Sequence, residues 1–214
     1  MKLLLIFAYI SILSAFIPTI AGLVLWKQLP RNLKLILLVS VISLIADGIS
    51  FILIRYGVST WPVLNLFYTI QLTVLFTALA HQRPILVLRI IFYACICFAV
   101  LNFFFIQTPK TFNTYTAYVG GILMIISSIS FLYQLMNEMP VEKVQTLPMF
   151  WLAFGVLVYY GGTLFLFLFN NYLISHLPKS HQIIWALHNA LNIIKNVFLF
   201  ISLWINYKSR TSPL

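Results

Sequence analysis

Acidic side chains are almost missing from this chain: three Asp and Glu among 214 residues, against thirteen Lys and Arg. Charged residues together make up 7%, where soluble domains carry about a quarter. So few charges cannot cover a water-facing surface, which excludes an ordinary soluble enzyme. A disordered chain is excluded too, because it would be rich in charge and poor in aromatics. Two cysteines are too few for a secreted disulfide scaffold. Cys95 and Cys97 lie two apart in an apolar run and point different ways on a helix, so they read as packed or lipid-facing thiols. No further metal ligands lie near them in sequence. What the chain does have is apolar mass: 62% hydrophobic, 16% aromatic, and a mean hydropathy of +1.02. These values specify an all-α integral membrane protein.

A hydrocarbon core of about 30 Å needs about twenty apolar residues of helix. Seven runs meet that length: 3–26, 34–56, 63–80, 85–107, 115–136, 148–170 and 181–207. The connections between them carry Pro, Gly and Asn, including 28–32, 57–62, 82–84, 108–110, 138–148 and 170–180. All are short, so residues 1–214 read as one transmembrane helical domain. The first run continues unbroken to Trp26, longer than the roughly 7–15 apolar residues of a signal peptide, and reads as a span.

On a soluble protein a net charge of +10 would point to nucleic acid. Here the cations stand singly at the ends of apolar runs, where they anchor helices, and direct nucleic-acid binding is not expected. They also set orientation. With the N-terminus outside, the inner side collects Lys27, Arg31, Lys34, Arg83, Arg89, Lys143, Lys208 and Arg210. The outer side collects only Lys2, Arg55, Lys110 and Lys179. The positive-inside rule therefore predicts N-out and C-in in a cell membrane, with a bacterial inner membrane as the expected location.

Sliding the chain by 124 residues lays the third span on the seventh. Trp61 falls on Trp185, Asn65 on Asn189, Ile70 on Ile194, Leu75 on Leu199 and Phe76 on Phe200. Five identities in sixteen positions exceed what apolar composition supplies. At a shift of 114, Gly48 and Phe51 meet Gly162 and Phe165. The pattern reads as a three-plus-one-plus-three parallel repeat with the fourth span as linker. In length, span number and topology the chain resembles the heptahelical PQ-loop, sugar-efflux and retrieval-receptor group. Gln28-Leu29-Pro30 is similar to that group's Pro-Gln pair, with the order reversed and one residue between. The resemblance implies architecture and carries over no functional residue.

Two charges fall inside spans, Asp47 in the second and Lys195 in the seventh. Each should face the bundle interior, since a charge at the bilayer centre costs a few kcal/mol on lenient scales. Ser40, Ser43, Asp47 and Ser50 share one helical face; so do His181, Trp185, His188, Asn192, Lys195 and Asn196. The third span adds Asn65, Thr69, Thr73 and Thr77, with Tyr68 and Gln71 beside them. The expected centre is thus Asp47, Gln71, His188, Asn192, Lys195 and Asn196, supported by Ser43, Ser50, Asn65 and Tyr68. Two readings stand: a buried Asp47–Lys195 ion pair that fixes packing, or a site for a ligand, ion or proton. A lysine midway along a seventh helix also resembles the opsins, although Gln71 stands where a third-span counter-ion would be. Small residues at Gly120-Gly121, Gly155 and Gly161-Gly162 should let helices approach closely, and Pro18 should kink the first span.

With three acids, no nucleophile elbow and no His-Glu-x-x-His pattern, the chain reads as non-enzymatic, without cofactor or metal. The leading expectation is a membrane sensor or accessory protein that binds a small ligand or a protein partner. Its inner face of Lys27, Arg31, Lys34, Arg83, Arg89, Lys208 and Arg210 would dock a partner, or anionic lipid. Assembly into homo-oligomers is compatible with this. The alternative is a small carrier with its polar site between repeat halves. A further alternative is an accessory protein of a type VI RNA-guided RNase (CRISPR) defence locus, whose small basic multi-pass proteins are similar in size and character.

Overall fold

The computed structural model describes residues 2–82, 85–107, 110–138, 143–176 and 178–211. All regular structure among them is helical: α1 (Lys2–Val24), α2 (Arg31–Arg55), α3 (Trp61–Gln82), α4 (Leu86–Leu101), α5 (Thr114–Glu138), α6 (Pro148–Leu168), α7 (Asn170–His176) and α8 (Pro178–Thr211). Seven of these, all but α7, are long and apolar enough to cross a membrane. Such helices answer the bilayer's main demand, because each satisfies its backbone hydrogen bonds within its own segment. Large apolar side chains such as Leu13, Val24, Ile54 and Phe105 are exposed on their outer faces, where lipid rather than water is the compatible solvent.

The expected spans are found with shifted ends. α2 begins right after Pro30, which is extended and cannot continue a helix backward. α6 begins on Pro148, whose missing N–H would be unbonded in a first turn anyway. The segment 170–180, expected as a loop, is largely helical. α7 occupies Asn170–His176, and α8 starts at Pro178, three residues before the expected start. Residues 170–176 contain no Gly or Pro to stop a helix, and Ser175 donates to Tyr172 O in its last turn. The fourth span ends in a π-helical turn, Asn102–Ile106. The connection at Arg83-Pro84 lies outside the described residues, as do Thr108-Pro109 and 139–142.

Six of the long helices form a ring: α1 packs on α2, α2 on α3, α3 on α5, α5 on α6, α6 on α8, and α8 closes back on α1. α4 stands outside it against α5 and α3, fastened by the Phe76 and Phe92 rings stacked 4.1 Å apart. Cys95 is buried on the inner side of α4, and Cys97 is exposed. The α6–α8 contact depends on two glycines. A Cβ at Gly155 would lie 2.6 Å from Phe198 Cβ, and one at Gly162 would lie 2.7 Å from the Leu191 methyls. Gly161, expected to join this surface, faces open space instead, since it sits one residue and about 100° around the helix.

Candidate functional site

Between the ring helices lies a cavity of about 140 Å³, in the half of the bundle that carries the N-terminus. Ser43 and Asp47 reach it from α2, Phe67 and Tyr68 from α3, Tyr159 and Phe167 from α6, and Ser11 from α1. α8 supplies Trp185, His188, Asn189 and Asn192, and Phe112 comes from the turn before α5. Ala8, Ile12 and Leu64 complete a wall whose largest side chains are aromatic. Tyr68 packs edge-on against Phe167 (5.6 Å between ring centres) and Phe112 (6.4 Å), and Phe112 meets Trp185 at 6.3 Å. The Tyr68 hydroxyl donates to Ala117 O at 2.9 Å, which fixes the ring against α5.

Polar residues assigned to one centre by helical spacing divide among three jobs. Lys195, 1% exposed, lies deeper than the cavity wall. Its ammonium donates to Gln71 Oε1 at 3.2 Å and rests 4.5 Å from the centre of the Tyr159 ring. Gln71 Nε2 in turn donates to the Tyr160 hydroxyl at 3.4 Å. Among the described residues no cationic nitrogen comes within 4.0 Å of the Asp47 carboxylate. The expected direct Asp47–Lys195 ion pair is therefore not formed. An amide and a ring face accommodate the ammonium, and the opposite charges act on each other at longer range.

Asn192 and Asn196 fasten α8 to α1. Asn192 Nδ2 donates to Ser11 Oγ, and Asn196 Nδ2 to Ser14 Oγ, both at 2.8 Å. Asn192 also touches the cavity; Asn196 does not. Pro18 stands inside α1, which remains helical from Lys2 to Val24.

Asn65 belongs to another cluster altogether. Its side chain donates to Thr111 O at 2.9 Å and accepts from the Asn113 backbone N–H at 2.9 Å, tying α3 to the approach to α5. Asn102 and Gln107 extend this knot: Asn102 donates to Thr116 Oγ1 at 2.9 Å, and Gln107 to Thr114 Oγ1 at 2.7 Å. The threonine stripe of α3 is self-contained. Thr69, Thr73 and Thr77 each donate to the carbonyl four residues back in their own helix. Ser40 does the same on α2, whereas Ser50 Oγ is buried without a partner.

Asp47 and His188 are left facing the cavity. Asp47 is half-buried and its one charged influence is Lys195. The His188 ring is enclosed by Trp185, Phe167 and Tyr159 at 5.0, 5.2 and 5.9 Å, with Nδ1 buried and unpartnered. The His181 side chain lies outside the described residues. Sequence reasoning missed the wall residues Phe67, Phe112, Tyr159, Phe167 and Asn189. The first four are unremarkable in a chain this aromatic; Asn189 had a signal in its match to Asn65.

Of the basic face, Lys27, Arg31, Arg89 and Lys208 are exposed at the bundle end opposite the cavity. Lys34 is half-buried, its ammonium 4.6 Å from the centre of the Trp26 ring. Arg83 and the Arg210 side chain lie outside the described residues. No cluster of three His, Cys, Asp or Glu suited to a metal occurs among the described residues. Comparison with known protein families, with curated proteins and with solved structures finds no match.

Proposed function

We propose that this chain is a non-enzymatic multi-pass membrane protein, N-out and C-in in a cell membrane, that senses or presents a small ligand held in the aromatic cavity. One observation carries this reading: Asp47 and His188 face a cavity, while among the described residues every other expected polar side chain but Ser43 and Ser50 is hydrogen-bonded within the protein. A half-buried carboxylate with no hydrogen-bond donor from the protein is costly inside an apolar bundle, and a purely structural role does not account for keeping it. The exposed cations at the opposite end would meet a cytoplasmic partner or anionic lipid, so ligand occupancy could be relayed along α8.

The test is a ligand screen on the full chain in lipid nanodiscs. A charge-diverse panel of small molecules should produce a saturable change in tryptophan fluorescence with at least one compound. Ser43→Phe, which fills the cavity, should abolish it. Fluorescence that responds to no compound counts against the reading.

A second reading, a small carrier built from two parallel repeats, is favoured by a particular coincidence. Lys195 and Gln71 are 124 residues apart and hydrogen-bonded. Trp61 and Trp185, whose rings lie 6.1 Å apart, have that same separation. Two parallel neighbouring helices always share some constant offset. What favours duplication is that this offset equals the shift found by matching the sequence to itself. Equivalent positions of two repeats meet only beside the axis that relates them, which is where carriers of this plan hold substrate. Gradient-driven uptake into proteoliposomes would decide for the carrier over the sensor.

A further inference from the structure

We infer that the cavity takes an organic cation, a small molecule bearing a substituted ammonium group, held between the Asp47 carboxylate and the surrounding aromatic faces. This rests on the cavity being a ligand site, as proposed above, and names the ligand's chemistry.

Asp47 is the one acidic side chain on the cavity wall among the described residues, and no basic Lys or Arg shares that wall. Lys195 carries the opposite charge but points elsewhere, into Gln71 and the Tyr159 ring. An anion would therefore meet a carboxylate and no counter-charge. A neutral molecule would leave the carboxylate with only the more distant Lys195 to balance it. A cation is matched twice, by the carboxylate and by the negative faces of aromatic rings.

Phe67, Tyr68, Phe112, Phe167 and Trp185 line the space, together with Tyr159, whose ring already carries the Lys195 ammonium. Such a box is poor for a bare metal ion, which needs several oxygen ligands, and good for an ammonium whose charge is spread over alkyl groups. Asn189 adds one amide on the wall for a polar tail. The volume of about 140 Å³ is many times the roughly 10–15 Å³ that a single water centre requires, so a molecule of choline size fits.

The experiment compares choline with its uncharged isostere, 3,3-dimethyl-1-butanol, on the full chain in nanodiscs, by calorimetry and tryptophan fluorescence. Choline should bind saturably, and the isostere at least about tenfold more weakly. Asp47→Asn should erase that preference, and Asp47→Glu should restore part of it. Elution volume and thermal midpoint confirm that each variant is folded. Equal binding of both probes, or a choline preference that survives Asp47→Asn, overturns the cation assignment and leaves the cavity reading standing. If wild type binds neither choline nor any compound of the charge-diverse panel, both fall.

Discussion

The Lys195 ammonium and the Gln71 amide meet at 3.2 Å across the bundle interior, where charge balance alone would have put Asp47. Gln71 spans two helices: it accepts from α8 and donates to Tyr160 on α6. Replacing it with Leu strands a buried ammonium. Hydrogen bonds to charged groups contribute about 1.5–3 kcal/mol, so Gln71→Leu should lower stability by at least that order. Gln71→Leu combined with Lys195→Met should recover part of the loss. Asp47→Asn, which breaks no protein hydrogen bond, should cost less than Gln71→Leu. Thermal midpoints of the four proteins in one detergent check the ranking; a larger loss from Asp47→Asn would mean that the carboxylate holds the bundle together.

The α1–α8 seam offers a smaller effect of known scale. Side-chain hydrogen bonds between membrane helices average about 0.6 kcal/mol. A double-mutant cycle of Ser14→Ala with Asn196→Leu should return a coupling of that order. A coupling indistinguishable from zero would show that the 2.8 Å contact contributes nothing to the seam.

Three glycines of α6 should respond differently to one added methyl group. Gly155→Ala and Gly162→Ala place a Cβ against Phe198 and Leu191, and overpacking of this kind typically costs about 1–3 kcal/mol. Gly161→Ala meets open space and should be neutral or slightly stabilising, since Ala is the better helix former. Equal effects at Gly161 and Gly162 would contradict the placement of α8 against α6.

Orientation is tested by fusion. A reporter active only in the cytoplasm should work after Leu214 and fail after Asn113. The opposite result would reverse the bundle and put the cavity in the cytoplasmic half.

The spans were legible because bilayer thickness imposes a length and a composition that survive any arrangement of neighbours. The boundary at Pro148 was readable; the one after Pro30 was placed three residues late, at residue 34 instead of Arg31; and 170–176 was misread as loop, although it holds no Gly or Pro to stop a helix. The candidate site was only partly legible. Helical spacing put Asp47, His188 and Lys195 on inward faces, yet it grouped Lys195, which turns to Gln71 on α3, with Asn192 and Asn196, which both hold α1. A polar face on a membrane helix is wide enough to address two or three helices at once.

Sequence by itself determined that the chain is helical, how many apolar helices it has, and which faces carry polarity. Each follows from local composition and from the 3.6-residue period. Only the tertiary structure decided which polar group meets which. Asn65 and Asn189 match in sequence, but the first is tied to the start of α5 and the second stands on the cavity wall. Lys195 took an amide and a ring face in preference to a carboxylate. Such pairings depend on the rotation and depth of packed helices, which glycine contacts such as Gly155 against Phe198 set and no single helix's period contains.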